Sequence, residues 1–174
     1  KSSFFAFCGA EALRQLDRWN ASPRRRQQVV DLPDHPGAFH SGVDVHAVPV
    51  ALLQIEEGRA KRAEASLDPL VLDQRLSHAA ALKAQDMFAN NYWAHNNPNG
   101  KTPWEFVSAA GYHYRVAGEN LAKNFSISSA VVEAWMASPT HMENVMRKDY
   151  KDIGFAIVNG VLAGEETTLV VQMF

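Results

Sequence analysis

Apolar positions recur at helical spacing through most of the chain and change to alternation only near its end. Val48, Leu52, Ile55 and Arg59 follow one stripe behind Pro49, which predicts a helix running to about Ala65. Gly58 inside it costs about 1 kcal/mol relative to alanine. Leu67-Asp-Pro-Leu-Val-Leu72 reads as an extended or turn link, and Asp73 as an N-cap. Behind that cap Leu76, Ala79, Ala80, Met87 and Phe88 form the apolar face of a helix reaching about Asn90. Asn96-Asn-Pro-Asn-Gly100 is dense in turn residues. Thr102, Pro103 and Glu105 then make a capping box with proline at the first helical position, and Gly111 is the matching stop. Ser126 or Ser128 caps the next helix, whose Ile127, Val131 and Trp135 fall one turn apart until Pro139 ends it. After that the period changes. Ile153–Gly160 alternates and Thr167–Phe174 is rich in β-branched and aromatic residues, predicting two antiparallel strands joined by the Gly160–Glu166 connection. Glu119–Ala122 is a candidate third strand. Helices first and strands last point to an α+β fold with helices covering a small sheet.

Residues 1–46 read differently. Ala10–Trp19 carries one amphipathic helical pattern that Ser22-Pro23 breaks, and Asp31–Asp44 has the Pro and Gly content of a loop. His35, His40 and His46 fall in or beside this loop at separations that match no ligand pattern, so they are expected to be solvated. The expected organisation is an amino-terminal extension over 1–46 and one domain over 47–174. A chain of 174 residues, 47% apolar and 21% charged, can bury one core. Its net charge of -2 and pI near 6.4 leave no footprint for nucleic acid, and Arg24-Arg25-Arg26 is expected to be a solvated run. The single cysteine, Cys8, rules out an internal disulfide and a thiolate zinc finger. No apolar run approaches the roughly 20 residues that cross a bilayer, so a membrane span is not expected. The sequence starts at Lys1 rather than Met, which leaves room for an upstream signal peptide.

Most familiar chemical motifs fail on inspection. Gly100-Lys101-Thr102 lacks the first glycine of a phosphate loop, because His95 stands there. His141-Met-Glu143 has no Pro-Cys-x-x-Cys after it, so the zinc deaminase reading falls. No His-Glu-x-x-His or Gly-x-Ser-x-Gly occurs. What remains is a separated set of His95, Glu119 and His141, imidazoles plus a carboxylate, which are suitable zinc ligands. Seven histidines and nineteen carboxylates offer many accidental triples, so spacing alone carries little weight.

A longer pattern runs through the same residues. It comprises Met87, Tyr92-Trp-Ala-His95 with Asn96–Gly100, Ala109-Ala-Gly-Tyr112 and Ala117-Gly-Glu119-Asn120-Leu-Ala. It continues with Ala134-Trp135-Met-Ala-Ser138-Pro-Thr-His141-Met-Glu-Asn144, Ile153-Gly-Phe-Ala and Val170-Val-Gln-Met-Phe174. In order and spacing, from about Val48 to Phe174, the chain resembles the CAP superfamily of SCP-like, PR-1-like proteins, in its bacterial secreted branch. The resemblance implies an α–β–α sandwich with a small antiparallel sheet between helical layers. It also implies a central cleft with two His and two acidic residues, which in some members binds zinc or another divalent cation. His95, Glu119 and His141 match three of the four. The fourth acid is replaced by Ser138. Glu133 is the nearest substitute, but it is turned about 200° from Val131 and Trp135 on the helix, away from the apolar stripe.

The resemblance therefore leaves a divalent metal on His95, Glu119 and His141 as an open expectation, with affinity lowered by the missing carboxylate. It implies no organic cofactor. It implies a secreted or periplasmic, monomeric protein that binds a lipid-like or peptide ligand, or a protein partner, in a cleft lined by His95, Glu119, Asn120, Ser138, His141 and Glu133. Asn120 is expected to brace the cleft strand. Two alternatives stay open. One is a zinc-dependent hydrolase with Glu133 or Glu143 as base. The other is an interaction protein working through residues 1–46.

Overall fold

The computed structural model describes residues 47–125 and 128–174. The expected extension over 1–46, with its helix, histidines and Cys8, lies outside the described residues. Helix α1 spans Ala47–Glu64 and is followed by a two-residue strand, β1, at Val71–Leu72. Helix α2 spans Gln74–Ala89 and α3 spans Pro103–Ala109. Strand β2 is Glu119–Lys123, α4 is Ser128–Ala137 and α5 is Pro139–Met146. Strands β3 (Asp152–Leu162) and β4 (Glu165–Met173) complete the chain. The sheet order is β1-β3-β4-β2, with β1 parallel to β3 and the other pairs antiparallel.

Local signals explain most boundaries. Asp73 accepts from the backbone N–H groups of Arg75 and Leu76, opening α2. Glu105 turns back to accept from Thr102 N–H at 2.7 Å, opening α3. Gly111 takes the left-handed conformation, φ 77°, just beyond α3.

Strand alternation divides the core into two layers. On β4, Leu169, Val171 and Met173 face α2 and α3, while Val170 and the following Phe174 face α1, α4 and α5. The first layer is built on Leu76, Ala80, Met87 and Phe106, and the second on Ile55, Val131, Trp135 and Phe155. Burying each large apolar side chain of this kind contributes about 1.5–3 kcal/mol. The result is the α–β–α sandwich. On β2 the same alternation sends Leu121 to one layer and Ala122 to the other.

Two local expectations are corrected and a third, the stop at Pro139, is extended. The sheet is mixed, because the link before α2 is recruited as β1: Val71 N–H donates to Lys151 O and Asp73 N–H to Ile153 O, both at 2.9 Å. Pro139 ends α4 but also opens α5, where a missing N–H is harmless at the first helical position. Gly160 lies inside β3 rather than in the hairpin turn. A Cβ there would sit 2.9 Å from the Phe88 ring, so the glycine admits α2's aromatic side chain. The reversal falls at Ala163-Gly164, both with positive φ, a two-residue hairpin.

Candidate functional site

Glu119 and Asn120 are consecutive residues at the start of β2, and each is held by a different network. On the Glu119 side the support is charged. His95 Nδ1 lies 2.5 Å from Glu119 Oε1, with the carboxylate side chain 1% exposed and the imidazole 60% exposed. The turn that presents His95 is pinned from beneath by Lys83, which is completely buried on α2. Lys83 Nζ donates to Tyr92 Oη and Ala94 O, each at 2.9 Å, and to His95 O at 2.5 Å. Its three N–H bonds are thereby all used. Tyr92 in turn donates to Asp86 at 2.6 Å. Asn97 Oδ1 accepts from the backbone N–H groups of Asn99 and Lys101, closing the turn.

The proton equilibria follow from this arrangement. The Glu119 contact raises the His95 imidazole above its ordinary value against the opposing cost of burial. Burial pushes the Glu119 carboxyl up, while His95 and Lys83 beside it act in the other direction. Burial lowers the Lys83 ammonium, opposed by Glu119 and Asp86. Glu119 Oε2 is buried and has no hydrogen-bond partner.

On the Asn120 side the support is neutral. Asn120 is completely buried. Its Nδ2 donates to Gln172 Oε1 at 2.9 Å and to His141 O at 3.3 Å. Its Oδ1 accepts from Asn144 Nδ2 at 2.9 Å, and the same Nδ2 donates to Glu119 O at 3.2 Å. Tyr150 Oη donates to Asn144 Oδ1 at 3.2 Å. These amides lock α5 against β2. Gly118 belongs to the same joint, since a Cβ there would overlap the Tyr150 hydroxyl and sit 2.8 Å from Asn144 Oδ1.

Between the two supports lies a pocket of about 300 Å³. His95, Asn96, Pro103 and Trp104 form one wall, Ala117–Glu119 the floor, and Asn144, Arg147 and Tyr150 the other wall. Tyr114 packs beside Trp104 with ring centroids 6.4 Å apart.

The expected site residues separate in this geometry. His95 and Glu119 touch and line the pocket. His141 is half-buried on α5, with Nδ1 2.8 Å from Ser138 Oγ. Burial and the neighbouring His95 lower its imidazole. Neither Ser138 nor His141 lines this pocket, and Asn120 lies behind it. Glu133 is exposed, and its charge acts on Glu57 of α1 instead, helping burial to raise that carboxyl. Glu143, the other base considered for a hydrolase, is also exposed and outside the pocket. The sequence reading gives no site role to Lys83, Trp104, Asn144, Arg147 or Tyr150. Lys83 left a signal: it interrupts the apolar stripe Leu76, Ala80, Met87 at its centre. Arg147 and Tyr150 left none.

A divalent cation suits the donors in kind, since two imidazoles and a buried carboxylate oxygen without a partner are ordinary ligands. Nδ1 of each imidazole is engaged, by Glu119 and by Ser138, so Nε2 is the nitrogen left to ligate. Among the described residues no three His, Cys, Asp or Glu side chains are already gathered around one point.

Comparison with known proteins agrees with this architecture. The chain is 36% identical over 104 residues to the uncharacterized protein YkwD of Bacillus subtilis, covering 60% of this chain and 40% of that protein. It is 28% identical over 96 residues to the uncharacterized membrane protein YlbC of the same organism, covering 55% and 28%. The chain thus spans less than half the length of these curated relatives. In fold it is similar to an outer surface protein of Borrelia burgdorferi, with TM-score 0.63, 23% identity, and 72% of this chain and 91% of that one covered. It is also similar to an extracellular SCP-domain protein of Bacillus anthracis, with TM-score 0.58, 23% identity, and 70% and 39% covered. Residues 57–174 match the family described as "CAP: Cysteine-rich secretory protein family", and the chain belongs to that family.

Proposed function

We propose that this domain binds a small ligand or a chain end in the pocket at the start of β2, and that it works outside the cytoplasm. The observation that carries the reading is a roughly 300 Å³ pocket with a buried, unpartnered carboxylate oxygen, Glu119 Oε2, in its floor residue. Native proteins satisfy most such groups with protein, ordered water or a ligand. The extracytoplasmic setting is supported by the outer-surface and extracellular proteins that share the fold. No helix among the described residues is long and apolar enough to cross a membrane. If a divalent ion takes part, His95, Glu119 and His141 are the residues to hold it.

The test is backbone amide NMR on the full chain, titrated with zinc and with a small set of amines, carboxylates, sugars, peptides and a fatty acid. Shifts clustered at His95, Trp104, Gly118 and Glu119, lost in Glu119→Ala, are the expected result. Shifts scattered over the surface, or unchanged in Glu119→Ala, would remove the pocket as the site. Zinc read alongside in a His95→Ala/His141→Ala double mutant separates a metal site from a metal-free one.

A further inference from the structure

We propose that the pocket recognises a carboxylate, with the Arg147 guanidinium as its receptor and the Trp104 wall holding the body of the ligand. This deepens the reading of the pocket as a ligand site and rests on it.

Charge is the first support. The pocket lining contains one acid, Glu119, and that acid is tied to His95. Arg147 is the positive charge among the lining residues, and no acid that lines the pocket pairs with it. Its carboxylate neighbour is Asp149, at 3.5 Å from Nε, with side chains 38% and 53% exposed. Such a surface pair contributes little. Nε itself is shut off from water and makes no hydrogen bond. The guanidinium lies over the Tyr150 ring, 5.5 Å from its centroid.

The second support is the donor count, which decides between anions. Asn144 Nδ2 is committed to Asn120 Oδ1 and Glu119 O, and the Tyr150 hydroxyl to Asn144 Oδ1. The wall therefore offers an incoming anion one guanidinium fork and little else. A fork matches the two oxygens of a carboxylate, whereas a phosphate would keep oxygens without donors. The third support is rigidity. The fully buried Arg62 donates from Nη1 to Val145 O and Arg147 O, both at 2.9 Å, and from Nε to Asp68 O at 2.7 Å. This buried clamp fixes the backbone from which Arg147 projects. Across the pocket, Trp104 packed on Tyr114 supplies an aromatic wall for the apolar part of a ligand.

The probes are N-acetyl-alanyl-phenylalanine as the free acid, the same dipeptide as its C-terminal amide, acetate, and inorganic phosphate. Each is titrated into the full chain and read by the amide shifts of Gly118, Trp104 and Asn144. The free acid is expected to bind at least about tenfold more tightly than the amide. That preference should vanish in Arg147→Gln and fall sharply in Arg147→Lys, which keeps the charge but not the fork. Unchanged thermal unfolding of both variants shows that folding is intact. Acetate as effective as the peptide acid identifies a small free carboxylate as the ligand type, and a peptide advantage identifies a chain end; either supports the proposal. Equal binding of acid and amide, a preference that survives Arg147→Gln or remains whole in Arg147→Lys, or phosphate binding better than the acid would overturn it while leaving the pocket as a ligand site. No shift at the pocket with any of these probes, where zinc or the wider set does shift it, would also overturn it. No shift there with anything would overturn both readings.

Discussion

The two supports of the pocket solve the same mechanical problem with opposite chemistry. Lys83, Asp86, Glu119 and His95 hold the α2 side with charges, buried or half-exposed. Asn120, Asn144 and Gln172 hold the α5 side with neutral amides. An amide ladder gives geometry that is indifferent to pH and salt. A charged network gives geometry whose strength depends on every proton and every ligand charge nearby, because each unpaired charge in a low dielectric is costly. The half whose strength responds to pH and charge is therefore the His95 half, and the α5 half is the one that does not.

The largest effect is expected from Lys83→Met. It removes a buried ammonium from carbonyls at Ala94 and His95 and from the field of Glu119 and Asp86. Unfolding in denaturant should show a loss of about 3–5 kcal/mol, the range for breaking a buried charge arrangement. A loss below about 1 kcal/mol would mean the lysine is not a charged strut, and the contrast between the two supports would collapse. Asn120→Ala comes next. It leaves Gln172 Oε1 and Asn144 Nδ2 short of partners, and about 2–3 kcal/mol should be lost. This loss should be the same at every pH in the native range.

The charged side should behave otherwise. The folded-state values of both His95 and Glu119 are raised, from 6.5 and 4.5 respectively, so the folded state holds more protons than the unfolded chain. Stability then falls as pH rises through those raised values, and the His95 contribution is fully present only below 6.5. Glu119→Gln removes the partner that raises His95, so its stability curve should be flatter over the same window. A curve for Glu119→Gln that falls as steeply as the native one would place the linkage on other groups.

The legible parts of this molecule are those written in short-range signals. Asp73, Thr102 with Glu105, and Gly111 mark helix ends by local hydrogen bonding and backbone preference, and the structure follows them. The third strand at Glu119–Lys123 is likewise where the sequence places it. Local signals say less where one residue serves two purposes. Pro139 is a stop and a start, and Gly160 looks like a turn but makes room for Phe88. The recruitment of Val71–Leu72 into a parallel pair depends on Lys151 and Ile153, far away in the chain, and no local pattern reports it. The site divides in the same way. His95 and Glu119 were visible through the family pattern, whereas Arg147 and Tyr150 reach the pocket only because α5 is locked to β2. Lys83 was visible in principle, as a charge in the middle of an apolar stripe.

Gly118 offers the smallest test and the one that reaches the joint between the two supports. It lies one residue before Glu119 and against Tyr150 of the neutral side. Gly118→Ala should cost about 1–3 kcal/mol by overpacking, because its Cβ meets the Tyr150 hydroxyl and Asn144 Oδ1. Tyr150→Phe alone removes one hydrogen bond to Asn144 at 3.2 Å and should cost about 0.5–1.5 kcal/mol. Combined, the two should cost less than their sum, because the hydroxyl that the new methyl strikes is gone. A positive coupling of this kind would show that the pocket floor is positioned by contact with the α5 side. Strict additivity would mean that the floor yields instead, and that the α5 half is no more fixed than the charged half across from it.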